Sequence, residues 1–127
     1  MKKREAKHQT IWSKYCQDCL KKKIFFNYEL KQTTTESFPF DHFEPQQIPS
    51  LLAAQASGYH WKHSDADMRL KPCDGSIIPP QVGYIVIKYP KAFVMISVNN
   101  FIHERDKSKR KSLTYERAIE IAHKIIR

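Results

Sequence analysis

No stretch of this sequence stays apolar for anything near the roughly 20 residues that cross a bilayer. The longest apolar runs are Tyr84–Ile87 and Phe93–Ile96, so no membrane span is expected. The opening Met1-Lys2-Lys3-Arg4-Glu5 leads into polar residues instead of an apolar signal segment, which argues against secretion. Cysteine is sparse, and its three residues read as reduced thiols of a cytoplasmic protein of a bacterial or phage-infected cell. Internal repeats, low-complexity segments, zinc-finger arrays and recognition-helix signatures are all missing, so any contact with nucleic acid is expected to address shape and backbone. Acidic residues are the minority charge: 13 Asp and Glu stand against 22 Lys and Arg, a formal net charge of +9. That balance favours a polyanionic partner, nucleic acid before membrane. A surface-bound membrane helix would need a long basic face opposite a bulky apolar one, whereas the helices expected here are short and must also supply the core.

What is present suffices for one core. The chain has 127 residues, 41% hydrophobic and 12% aromatic, which fits a single domain over residues 1–127. Residues 3–21 repeat with helical period, placing Trp12, Tyr15, Cys16, Cys19 and Leu20 on one side and Lys7, Lys14, Gln17 and Asp18 on the other. Glu5 falls within the apolar stripe, an odd place for a carboxylate unless the first turn frays or the group has a use. Ile24–Gln32 alternates as a strand, with Phe26, Tyr28 and Leu30 on one face and Phe25, Asn27, Glu29 and Lys31 on the other. Residues 33–42 read as a polar loop, Phe43–Ser57 as a helix opened by Glu44-Pro45, and Gly58 as its end.

Tyr59–Leu70 resists assignment. Lys71–Ile78 can begin extended, and Pro79-Pro80-Gln81 turns it as a hairpin into Gly83–Tyr89, the most apolar and therefore central strand. Ala92–Val98 is expected antiparallel to that strand. Residues 103–111 lack apolar spacing and read as a solvated basic loop, after which Thr114 caps a last helix with Ala118, Ile119, Ala122, Ile125 and Ile126 inward. The fold expected is α/β: a small mixed β-sheet flanked by helices.

Glu29-Leu30-Lys31 is the centre of the chemistry. Residues two apart on a strand share a face, so the carboxylate and the ammonium can reach one site while Leu30 anchors the strand in the core. A metal-dependent phosphodiesterase needs that pair, a hard carboxylate for Mg²⁺ and a cation beside the scissile phosphate. Glu5-Ala6-Lys7 has the same spelling, but on a helix its charges point roughly 200° apart. The bland alternative for Glu29 and Lys31 is an exposed ion pair on an edge strand.

The run Phe25-Phe26-Asn27-Tyr28-Glu29-Leu30-Lys31-Gln32-Thr33, then Ser37-Phe38-Pro39, then Phe43 with Gln46-Gln47-Ile48, resembles the RecU and Hjc-type Holliday-junction resolvases of the PD-(D/E)XK nuclease superfamily. Gly83–Tyr89 and the segment ending Ser97-Val98-Asn99-Asn100-Phe101-Ile102 look like the two strands that follow the helix in that family, so the likeness spans about two thirds of the chain. The resemblance implies a restriction-endonuclease-like core. In it Glu29 is a metal ligand, Lys31 the cation at the reacting phosphate, Gln47 a helix residue that positions water or metal, and Glu5 the acidic residue of the first helix. It also implies Mg²⁺, or Mn²⁺ in its place, branched DNA as substrate, and a homodimer, because two symmetric strands need two sites.

The sequence departs from the family at the metal-binding Asp, which these nucleases carry on a strand just before Glu-x-Lys. Asp18 lies on the polar side of the first helix, and too few residues separate it from Glu29 for two strands and a turn. Lys71-Pro72-Cys73-Asp74 supplies an extended acidic position, and the spelling Lys-Pro-x-Asp also resembles small phage-type members. Asp74 is therefore expected to lie beside the Glu29 strand and to hold the metal with it. An ordinary Asp74-Gly75 turn is the plain alternative, and Asp65 and Asp67 stand in reserve.

Cys16-x-x-Cys19, His60-x-x-His63 and Cys73 allow a structural zinc site, against which Cys16 and Cys19 fit the buried stripe of a helix. Arg105, Lys107, Lys109, Arg110 and Lys111 form the expected footprint on a DNA backbone. The expected function is a Mg²⁺-dependent, structure-selective DNA endonuclease, a Holliday-junction resolvase first. A nicking or repair nuclease of forked DNA, a catalytically silent DNA-binding module and a zinc-stabilised interaction module are the competitors.

Overall fold

The computed structural model describes residues 2–62 and 75–127, with side chains from residue 10 onward and without that of Lys62. In chain order the elements are α1 (Lys2–Lys21), β1 (Asn27–Gln32), β2 (Ser37–Pro39), α2 (Gln47–Ser57), β3 (Tyr59–Lys62), β4 (Gly75–Ile78), β5 (Gly83–Lys88), β6 (Phe93–Ser97), α3 (Val98–Lys107), β7 (Ser112–Thr114), α4 (Tyr115–Ile121) and β8 (Lys124–Ile126). It is a small mixed α/β fold. The main sheet has the order β1-β5-β6-β8, with β1 parallel to β5 and the other pairs antiparallel. Among the described residues no helix is long and apolar enough to cross a membrane.

Every residue of β5 is buried, which is why Gly83–Tyr89 reads as a nearly continuous apolar run. Its two faces enter two cores. Ile85 and Ile87, with Val94 and Ile96 of β6, pack under Leu51 of α2, Phe101 of α3 and Ala118 of α4. Tyr84 and Val86, with Phe93 and Met95, pack under Trp12 of α1. The sheet is thus sandwiched between α1 and the group α2, α3 and α4. Glu29 pairs with Ile85 and Lys31 with Ile87, so both charged side chains stand on the face that α2 covers.

That register reverses one expectation. Leu30 does not anchor β1 in the core: it stays 38% exposed, and Tyr28 44%. The strand runs along the sheet's edge, and α1 reaches it through Trp12, whose ring meets Tyr28 edge-on at 5.0 Å, and through Cys16, which hydrogen-bonds Tyr28. The half-buried residues of β1 are Asn27, Glu29 and Lys31.

Other differences have local causes. Ile24–Phe26 precede β1 because the chain is still leaving α1, Ile24 N bonding to Cys19 O. Within residues 33–42, Ser37–Pro39 forms β2 against β7 because Phe38 is fully buried and needs a paired backbone. α2 begins at Gln47 and not at Phe43; Pro49 falls in its first turn, where a missing N–H costs nothing. Gly58 ends α2 with φ +71°.

β4 does not form a hairpin with β5. It pairs with β3, Tyr59 opposite Ile78, in a separate ribbon. Residues 98–107, expected as strand end and basic loop, form α3. Ser97 Oγ caps it by accepting from Asn100 N at 3.2 Å, and Val98, Phe101 and Glu104 make its buried side. Thr114 caps α4 as expected, accepting from Arg117 N at 3.3 Å. The helix stops at Ile121, because Lys124–Ile126 instead supplies an edge strand to β6.

Candidate active site

Gln47, the first residue of α2, stands over the middle of β1. Its Oε1 accepts from Lys31 Nζ at 2.8 Å and from Glu44 N at 2.9 Å, and its Nε2 donates to Glu29 Oε1 at 2.9 Å. Two donors on one side and a carboxylate on the other leave a single sensible orientation for the amide. Glu29 and Lys31 approach each other to 3.9 Å, with side chains 28% and 19% exposed. The amide therefore does more than close a surface ion pair: it holds both charges in place and also ties down the turn before its own helix, a contact like the reach-back of a capping box.

The Lys31 ammonium also lies 5.0 Å from the centre of the Phe43 ring. A cation over a ring and fixed by an amide is held in one place. Beside it, Glu29 and Gln47 open onto a cleft of about 680 Å³ between β1 and α2, where Asn27, Ser50 and Ala54 also contribute to the wall. Asn27 shares the face of Glu29 and Lys31, and its Nδ2 donates to Gln81 O at 3.1 Å, which leaves its Oδ1 as a further oxygen donor. Asn27 and Phe43 were not singled out from the sequence as site residues, although the spacing of Asn27, two residues before Glu29, is a usable signal.

Of the residues expected at the site, Glu29, Lys31 and Gln47 are brought together. Glu5 lies in α1, with its side chain outside the described residues, and Asp74, Asp65 and Asp67 lie outside them altogether. Asp18 is exposed on α1. Among the described residues no three His, Cys, Asp or Glu side chains gather as a metal site. Glu29 Oε2 and Asn27 Oδ1 suit Mg²⁺, an ion that keeps several waters and takes one or two carboxylates together with substrate phosphates. Cys16 and Cys19 are free thiols of the α1 stripe. Burial holds the Cys16 thiol above its usual range, as for a small side chain of a packed helix face. His60 is exposed on β3, while His63 and Cys73 lie outside the described residues.

The basic residues divide. Arg105 and Lys107 belong to the last turn of α3, whereas Lys109, Arg110 and Lys111 occupy the connection to β7. No protein-family model matches the sequence, and no curated protein matches it either.

Proposed function

We propose that the chain is a Mg²⁺-dependent DNA endonuclease acting on branched DNA, most like a Holliday-junction resolvase built on a restriction-endonuclease-like core. One observation carries the reading: Gln47 joins Glu29 and Lys31 on the covered face of an edge strand, at the mouth of a cleft. The connection from β1 through α2 to a parallel β5 supports it, since it sets the Glu-x-Lys strand, the Gln-bearing helix and the next strand in the expected order.

Glu29 would hold the ion, with Asp74 as the second carboxylate this reading requires. A bound Mg²⁺ would make its water a better nucleophile by lowering its pKa and would offset charge on the phosphate. Lys31 would offset the charge that develops on the phosphoryl oxygens. Gln47 keeps that ammonium and the Glu29 carboxylate from collapsing onto each other, which preserves both for substrate. The net charge of +9 draws the polyanion in. Cleavage of labelled four-way junctions, forks and duplexes with Mg²⁺ tests the reading. Glu29→Ala, Lys31→Ala and Asp74→Asn are each expected to lower the rate by about 100-fold or more, and paired symmetric cuts in junctions mark a resolvase. Unchanged cleavage by Glu29→Ala and Lys31→Ala rejects the site; no cleavage by the native chain leaves a basic DNA-binding module.

A further inference from the structure

A second cleft, of about 720 Å³, begins where the site ends, sharing Phe43 and Glu44 with its surroundings. Phe40, Phe43, Ile48, Leu52 and Ile102 give it an apolar floor, and Arg105, Arg110 and Lys111 supply cations. Asp41 and Glu44 also line it, so the positive wall is confined to α3 and the turn that follows. Arg105 Nε is bonded to Asp106 at 3.0 Å, which leaves the two terminal amino groups of the guanidinium for another acceptor. Arg110 and Lys111 are exposed.

We propose that this cleft binds one unpaired strand of DNA next to the Glu29, Lys31 and Gln47 site, with bases on the apolar floor and phosphates against Arg105, Arg110 and Lys111. The choice of DNA rests on the nuclease reading; the choice of a single strand rests on the cleft, and among branched substrates it favours a fork with an unpaired arm over a fully paired four-way junction. Duplex DNA keeps its bases stacked inside and turns mainly sugar and phosphate toward a protein, so an apolar floor gains nothing from it. An unpaired strand exposes base faces, which stack on aromatic and apolar side chains while cations follow the backbone. Phe43, with the Lys31 ammonium on its ring, stands at the junction of cleft and site, so a strand lying in the cleft leads its next phosphate to Lys31.

The test is fluorescence anisotropy in EDTA with a labelled 12-nucleotide oligothymidylate and a blunt duplex of the same length. Single-strand binding is expected to be at least about tenfold tighter than duplex binding. Phe43→Leu is expected to weaken it about fivefold or more and leave duplex binding within twofold. Arg110→Ala/Lys111→Ala is expected to flatten the plot of log Kd against log salt by about 1.4, since each phosphate that a cation no longer neutralises lowers the slope by roughly 0.7. Because Phe43 packs against Phe38 and Phe101, its variant is checked by circular dichroism; the double variant changes only exposed residues and carries the test if Phe43→Leu fails to fold. Equal or tighter duplex binding, tighter binding of an oligoribonucleotide, or parental binding by the double variant overturns the proposal. A chain with the single-strand preference that never cuts DNA in Mg²⁺ loses the nuclease reading and keeps the cleft. One that cuts junctions without that preference loses only the cleft.

Discussion

Gln47→Leu removes three hydrogen bonds and little volume, which makes it the sharpest probe of the site. The bonds removed are those to Lys31 Nζ, Glu44 N and Glu29 Oε1, at 2.8, 2.9 and 2.9 Å. A hydrogen bond to a charged group contributes about 1.5–3 kcal/mol when shielded and less when water can replace it. With Glu29 and Lys31 28% and 19% exposed, about 0.5–1 kcal/mol for each bond is the appropriate scale, and the leucine recovers part by burial. The expected loss is about 1–2 kcal/mol, or roughly 3–10 °C in Tm for a chain of this size. Gln47→Glu supplies the control: it keeps the acceptor for Lys31 and Glu44 N but sets a carboxylate oxygen against Glu29. Like charges there repel, which the Lys31 ammonium offsets only in part, and protonating either carboxylate relieves the repulsion. The variant is therefore expected to melt lower at pH 8 than at pH 5 when each is referred to the parent. Differential scanning fluorimetry at both pH values reads both effects. A Gln47→Leu protein melting within about 1 °C of the parent, with Gln47→Glu insensitive to pH, would refute the bridging role.

Arg117→Ala is expected to lower Tm more than Glu120→Ala, because Arg117 Nε holds the 8% exposed Glu104 carboxylate at 2.7 Å whereas Glu120 is 63% exposed; thermal melts rank the pair. Gly58→Ala is expected to be worse than Gly83→Ala: φ is +71° and a Cβ would meet Ile78 O at 2.1 Å, against a movable Leu51 side chain at 2.8 Å for Gly83. Soluble yield and Tm measure the difference. Burial raises the Cys16, Tyr15, Tyr84 and Tyr89 pKa values above their ordinary 9.0 and 10.0. Stability held below about pH 9 should therefore fall as pH rises through the raised values, as denaturant midpoints between pH 7 and 11 would show. The triple variant Glu29→Leu/Lys31→Met/Gln47→Leu is expected to match or exceed the parent in stability while losing all cleavage; a large drop in Tm would mean that the polar group is structural.

The elements with strong periodicity were legible: α1 within a residue, the buried β5, its antiparallel partner β6, the Gly58 stop and the Thr114 cap. The errors fall where a short segment takes its state from a partner distant in sequence. Phe38 makes β2 only because Leu113 stands opposite, and Ile125 and Ile126 leave the helical stripe because β6 has a free edge. α3 was hidden by Glu104, a buried carboxylate standing where the stripe calls for an apolar residue; its partner Arg117 lies 13 positions downstream. At the site, spacing alone placed Glu29 and Lys31 on one face, and Gln47 was expected there only through the resemblance drawn from the sequence. The inward direction of that face could not be read, because Tyr28 and Leu30 are the residues that ordinarily turn to the core.

That inversion is the strongest internal argument for a working site. On an edge strand, turning Leu30 under α2 and Lys31 to water would bury more apolar area and spare two charges a partial desolvation. Inward charge can also guard a sheet edge against pairing with another chain, but one lysine is enough for that, and a guard gains nothing from a glutamate two residues away or from an amide fastening both. Here three polar side chains from β1 and α2 satisfy one another on a half-buried face beside an open cleft. Half-buried polar groups that cost stability and are held by one another are the kind of local exception expected at a functional site. The direction in which Glu29 and Lys31 point therefore fits the proposed site better than it fits a role in holding the sheet together.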